Sequence, residues 1–173
     1  MTLERIVLAG FMGSGKSTIG RLLAAELAWH FADLDDAIES RAGKPISAIF
    51  AEDGEAHFRA VESAALVELL KLKHVVIALG GGAPEIAANR ELLASAERTR
   101  VVLLEAPFAR LYDRCMAQSG AAVRPVLADK AAAEERFHRR APHYRAIAHM
   151  VVETATLDPT ETVAKVVSAL SIF

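Results

Sequence analysis

The stretch Gly10-Phe11-Met12-Gly13-Ser14-Gly15-Lys16-Ser17-Thr18 decides the fold. It follows the apolar run Ile6-Val7-Leu8-Ala9 and leads into a segment where Ile19, Leu22, Leu23 and Leu27 recur at helical spacing. A G-x-x-x-x-G-K-S pattern between a strand and a helix is a phosphate-binding loop. Its glycines let the backbone turn so that successive N–H groups point at phosphate oxygens. Lys16 is placed to reach the outer phosphates, and the Ser17 hydroxyl to reach a Mg²⁺ ion. The helix opening at Lys16 adds the partial positive charge of its N-terminus to the same spot. Phe11 and Met12 read as packing residues within the loop.

Beyond the loop, short apolar runs at residues 30–32, 75–79, 101–104 and 150–152 alternate with segments of helical period. Phe58, Val61, Leu66 and Leu69 mark one such helix, and Val163, Val166, Val167 and Leu170 another. The strand runs are continuously apolar, as expected when helices cover both faces of a parallel sheet. The pattern predicts an α/β protein, a doubly wound three-layer α/β/α sandwich. At 173 residues and 53% hydrophobic content, the chain is the size of one domain with a sizeable core. Its 20 basic and 22 acidic residues argue against nucleic acid or an anionic membrane as partner. Cys115 is the only cysteine, so no intrachain disulfide can form and a cytoplasmic location is expected. No apolar run approaches the roughly 20 residues that span a bilayer. The small, polar stretch at residues 116–125 suits a mobile lid. His57, His74, His138, His143 and His149 show no metal-ligand spacing and read as surface or structural residues.

A phosphate-loop protein commonly ends a later strand in an acid that helps hold Mg²⁺. Here residues 75–79 run into Gly80-Gly81-Gly82 instead, so the acid must come from elsewhere. Glu105 ends one strand, but no neighbouring residue shares the task, and it reads as a surface acid. Asp33-Leu34-Asp35 follows the short strand at 30–32, where alternation along an extended segment would place two carboxylates on one side. That position is the C-terminal edge of the sheet, where open α/β folds bind ligands. Asp33, Asp35 and Asp36 equally suit the cap and first turn of a helix.

Several further motifs occur in order: Phe50-x-x-x-Gly54-Glu55-x-x-Phe58-Arg59-x-x-Glu62, the triple glycine, Arg124-Pro125-Val126-Leu127 and Arg140-Ala141-Pro142-x-Tyr144. With the loop and Asp33-x-Asp35, they make nearly the whole chain resemble the shikimate kinases. The resemblance implies a nucleoside-monophosphate-kinase type of fold with a five-stranded parallel sheet. It implies one kinase domain over residues 1–173, with a substrate-binding region near 34–62 and a lid near 114–127. The reaction it implies is transfer of the γ-phosphoryl of ATP to the 3-hydroxyl of shikimate.

Carried over by position, the resemblance implies that Gly13, Ser14, Gly15, Lys16, Ser17 and Thr18 bind the phosphates. Arg114 and Pro159 match positions near the adenine, and Arg124 matches a lid residue reaching the phosphates. Ser17 and Asp33 would serve Mg²⁺, with Asp33 acting through water. Asp35 would bind the shikimate hydroxyls and act as base, making Lys16, Asp35 and Arg124 the catalytic set. Arg59 and Arg140 would clamp the carboxylate of shikimate, Gly81 and Gly82 would offer backbone N–H groups to its hydroxyls, and Gly80 belongs to the same substrate-binding turn. A cationic fork for the carboxylate and an acid at the reacting hydroxyl suit a small polyol acid. The glycines suit it too, since a Cβ there would take space the ring requires. On local sequence alone, Arg59 reads equally as a solvated helix face and Arg140 as part of a basic helix surface. The partners expected are ATP and shikimate, with no nucleic acid or membrane, and a monomer. Other readings are a different small-molecule kinase, such as a gluconate kinase, or a non-catalytic metabolite-sensing module on the same fold.

Overall fold

Strand β1 (Arg5–Ala9) is buried along its whole length, and its side chains part alternately to two sides. Val7 and Ala9 enter one apolar core, Ile6 and Leu8 another. The same division holds in β3 (Val75–Ala78), where Val75 and Ile77 oppose Val76. It holds again in β4 (Thr99–Glu105), where Val101 and Leu103 oppose Val102 and Leu104. Two buried faces explain why these strands carry no polar alternation. With β2 (His30–Asp33) and β5 (Met150–Glu153) at the edges, they form one parallel sheet in the order β2-β3-β1-β4-β5. These observations come from a computed structural model, which describes residues 2–118 and 128–170.

Helices α1 (Lys16–Leu27) and α8 (Pro159–Leu170) close the core around Ile6 and Leu8. The other face is covered by α2 (Leu34–Ala42), α3 (Ile46–Glu52), α4 (Gly54–Leu69), α5 (Ala87–Ser95), α6 (Phe108–Gln118) and α7 (Lys130–Ile147). The three layers and five parallel strands agree with the expected fold. Leu22 departs from it. Ile19 and Leu23 form the inward stripe of α1, while Leu22 lies beside that stripe and is 42% exposed. Arg5 is the first residue of β1 and is buried. Its guanidinium donates to Thr99 Oγ1 at 2.9 Å and to the carbonyls of Leu72 at 3.0 Å and Glu97 at 2.6 Å, fastening the sheet edge opposite the site.

After β1 the chain passes β3 to form β2, and after β3 it crosses to the far side of β1 for β4. This reversal opens a crevice at the C-terminal end of β1, the usual ligand position in open α/β sheets. The phosphate-type loop lies there. The Leu79 N–H donates to Leu8 O at 3.0 Å, which keeps the triple glycine beside it. Among the described residues, no helix is long and apolar enough to cross a membrane.

Candidate active site

Gly13 and Gly15 adopt φ of 79° and 87°, left-handed conformations that cost glycine least. Gly15 is the N-cap of α1 and has no side chain, so the first helical N–H groups gain no side-chain acceptor. Ser14 Oγ is buried and makes no hydrogen bond. Unmet donors gathered at a positive helix end suit anionic oxygens. The Lys16 ammonium lies over the loop, donating to Gly10 O at 2.8 Å and Phe11 O at 3.2 Å. On the α8 side, a cavity of about 220 Å³ is bounded by Gly13, Ser14, Thr18, Arg114 and Pro159. Arg114 is held there by Thr154, donating to its Oγ1 at 3.2 Å and to its carbonyl oxygen.

Asp33 answers two readings at once. Its Oδ1 accepts the Asp35 N–H at 3.0 Å and caps α2, while its Oδ2 accepts the Ser17 hydroxyl at 2.7 Å. Because this cap ends the strand, Asp35 sits in the first turn of α2 and not on the expected extended segment. The two carboxylates nevertheless meet in one cavity of about 270 Å³ with Lys16, Ser17, Gly81 and Arg140. Mg²⁺ takes hard oxygen donors, one or two from carboxylates and the rest from water and phosphates. The Ser17 and Asp33 oxygens fit that donor set. Glu105 is elsewhere, accepting from Arg145 at 2.7 and 3.0 Å.

The triple glycine is crowded by the site's own charged groups. A Cβ on Gly80 would lie 2.9 Å from Asp35 Oδ1 and 3.2 Å from Glu62 Oε1. One on Gly81 would lie 3.1 Å from Arg140 Nη1. One on Gly82 would lie 2.6 Å from Arg59 Nη1 and 3.2 Å from Arg140 Nη2. None of the three has positive φ, so the demand is for space. A Cβ at any of the three would therefore meet side-chain ends from α2, α4 or α7, the same groups that the sequence reading assigns to the acceptor.

Arg59 and Arg140 converge above Gly82 on a cavity of about 540 Å³. Neither is a solvated surface residue. Arg59 donates to Glu62 at 2.9 Å and Glu55 at 3.3 Å, with its guanidinium 5.2 Å from the Phe58 ring centroid. The Arg140 side chain is only 12% exposed and donates to Glu85 at 2.9 Å, whereas its neighbour Arg139 is 57% exposed.

The acids that hold these arginines were not assigned roles from the sequence. Glu62 stands three residues after Arg59 on α4, a helical spacing that could have revealed it. Burial raises its carboxyl above the ordinary value; the Arg59 contact opposes this, and the Asp35 charge adds to it. Glu85 follows the glycine turn and carries no local signal. Burial acts to raise it, but the Arg140 and Arg139 charges outweigh burial and hold it below the carboxylate norm. It ends a short 3-10 helix, Ala83–Glu85, which is tied down by Asn89, donating to Ala83 O at 3.0 Å, and by Arg90, donating to Pro84 O at 2.7 Å. Tyr144 donates to Gly81 O at 2.7 Å, and burial pushes its hydroxyl pKa up to about 12, so it remains a donor. His149 is structural as expected, its Nδ1 accepting the Val101 N–H at 3.0 Å.

Residues 116–118, expected to begin the lid, are the last turn of α6, where helical hydrogen bonding continues past Arg114. Arg124 and the rest of the expected lid lie in residues 119–127, outside the described residues.

Comparison with known proteins matches residues 12–171 to the family model described as shikimate kinase. A shikimate kinase of Limosilactobacillus fermentum is 40% identical over 164 residues, covering 95% of this chain and 93% of that protein. One of Chromohalobacter salexigens is 42% identical over 168 residues, covering 95% and 91%. Among solved structures, a shikimate kinase from Acinetobacter baumannii in complex with shikimate superposes with a TM-score of 0.88 at 36% identity, covering 99% of this chain and 94% of that one.

Proposed function

This chain belongs to the shikimate kinase family, and from that premise we propose how its residues carry out the transfer of the γ-phosphoryl of ATP to the 3-hydroxyl of shikimate. The observation that carries the reading is one cavity bounded by Lys16, Ser17, Asp33, Asp35 and Arg140. Phosphate-binding, metal-binding and acid–base groups thereby face the same small volume as a carboxylate-binding cation.

The nucleotide phosphates lie along residues 13–18, with the adenine between Arg114 and Pro159, two residues that share the adjoining cavity. Lys16 leaves the Gly10 and Phe11 carbonyls for the β- and γ-phosphates and stabilises charge developing on the transferred group. Mg²⁺, held by Ser17 and through water by Asp33, supplies neutralisation of the phosphate charge when bound. Shikimate enters the larger cavity, and Arg59 and Arg140 take its carboxylate, each already aimed by an acid partner. Gly80, Gly81 and Gly82 line the side of the acceptor facing the sheet. Asp35 accepts the proton of the 3-hydroxyl as its oxygen bonds to the γ-phosphorus and the bond to the β,γ-bridging oxygen breaks, releasing ADP. Arg124 adds a cation at the phosphates, an assignment supported by the family resemblance.

The proposal extends to one kinase domain, monomeric and cytoplasmic. In support, the large apolar side chains exposed among the described residues, Leu22, Phe50, Leu72, Met116 and Val151, are far apart in the sequence. The test is coupled ADP release with shikimate, quinate and gluconate offered separately. Release dependent on shikimate supports the assignment. Release with gluconate alone establishes a different kinase, and no release with any acceptor favours a sensing module.

A further inference from the structure

Four guanidinium groups line the 540 Å³ cavity: Arg59, Arg136, Arg139 and Arg140. Three are matched by acids. Arg59 is held by Glu55 and Glu62, while Arg139 and Arg140 share Glu85. Arg136 is different. Among the described residues no carboxylate pairs with it, and its Nη1 is buried without a hydrogen-bond acceptor. Residues 119–127 contain no Asp or Glu that could serve it. A guanidinium cannot relieve such a position by giving up its proton. Even with Glu62 included, this wall sets four positive charges against the three negative charges of Glu55, Glu62 and Glu85. Arg136 precedes Arg140 by four residues on α7, so both project from one helix face.

We propose that Arg136 is a third guanidinium for the acceptor's carboxylate, acting beside Arg59 and Arg140. This rests on the assignment of shikimate as acceptor. A carboxylate offers about four acceptor positions, more than two partly engaged arginines fill. By turning its guanidinium into the cavity that it lines, Arg136 gives its buried Nη1 the incoming anion as acceptor, and the anion cancels the surplus charge of the wall. Acceptor affinity therefore draws on a donor left unsatisfied in the free protein. The consequence is a site selective for an anionic head over a neutral one of the same shape.

The test compares Arg136→Met and Arg136→Lys with wild type in the full chain, using shikimate and its uncharged methyl ester. Arg136→Met should raise the KM and calorimetric Kd for shikimate about ten- to hundredfold, with the KM for ATP near wild type. The methyl ester should bind Arg136→Met and wild type about equally, and Arg136→Lys should recover part of the loss for shikimate. The melting temperature of Arg136→Met should be unchanged or higher, since an uncompensated charge is removed. Equal losses for acid and ester, or wild-type affinity for shikimate in Arg136→Met, would overturn the proposal. If wild type itself releases no ADP with shikimate, the acceptor assignment has failed; if it does and only the Arg136 result is negative, that residue's role alone is refuted.

Discussion

Replacing Gly82 by alanine should separate acceptor binding from folding. Gly82 has φ −96° and ψ −11°, a conformation open to any L-residue, so the added methyl strains no backbone. Alanine also narrows the unfolded ensemble, an effect worth about 0.4–1 kcal/mol in favour of folding at compatible sites. The methyl would stand 2.6 Å from Arg59 Nη1 and 2.9 Å from its Nη2, distances no relaxed carbon keeps. Arg59 is a long side chain and can swing away, so the fold survives but the paired arrangement with Arg140 does not. Losing one charge-assisted contact costs about 1.5–3 kcal/mol, or roughly ten- to 150-fold in affinity. Steady-state kinetics should therefore show a KM for shikimate raised by that factor, with the KM for ATP unchanged. Thermal unfolding should show a melting temperature equal to or above wild type. A wild-type KM for shikimate would mean that the arginine pair does not grip the acceptor. A clear fall in melting temperature would mean that the glycine serves the fold.

Lys16→Ala should lose at least about 10²-fold in turnover with an unchanged circular dichroism spectrum, because the ammonium serves the phosphates and not the core; retention of a tenth of the activity would contradict this. Asp35→Asn should lower turnover about 10²–10⁴-fold while calorimetry shows ATP binding intact. Asp33→Asn keeps a helix cap as good as the original, so its melting temperature should hold while shikimate-dependent ADP release falls and partly recovers at raised Mg²⁺. Tyr144→Phe leaves the Gly81 carbonyl without its partner and should cost about 1 kcal/mol of stability, read by denaturant titration, together with a higher KM for shikimate. Glu85, lowered from 4.5 in the folded state, contributes stability that is present above pH 4.5 and lost as pH falls through its folded value. Glu62, raised in the folded state, gives the opposite slope, with stability lost as pH rises from 4.5 through its folded value. Glu85→Gln should accordingly flatten the acid limb of the melting-temperature curve, and an unaltered limb would refute that role.

The phosphate loop was legible in the residues themselves, because loop, strand and helix are contiguous and their chemistry depends on local backbone turns. The layered α/β fold was equally legible, since burial on both sheet faces writes itself into continuous apolar runs such as Val7-Leu8-Ala9 and Val101-Val102-Leu103. Asp33 shows the boundary. Its sequence context permitted a helix cap or a metal-site acid, and the structure has its two oxygens facing Asp35 N–H and the Ser17 hydroxyl, so capping and contact with the phosphate loop coexist. Arg59 and Arg140 were indistinguishable from surface arginines in local sequence, 81 residues apart. Only the packing of α4 and α7 over the glycine turn brings them to one point. The acids that aim them, Glu62 and Glu85, and the orphaned Arg136 depend on the same packing. Whether a charged side chain is paired, buried or left with an unmet donor depends on neighbours distant in the chain, which are fixed only when the helices dock on the sheet.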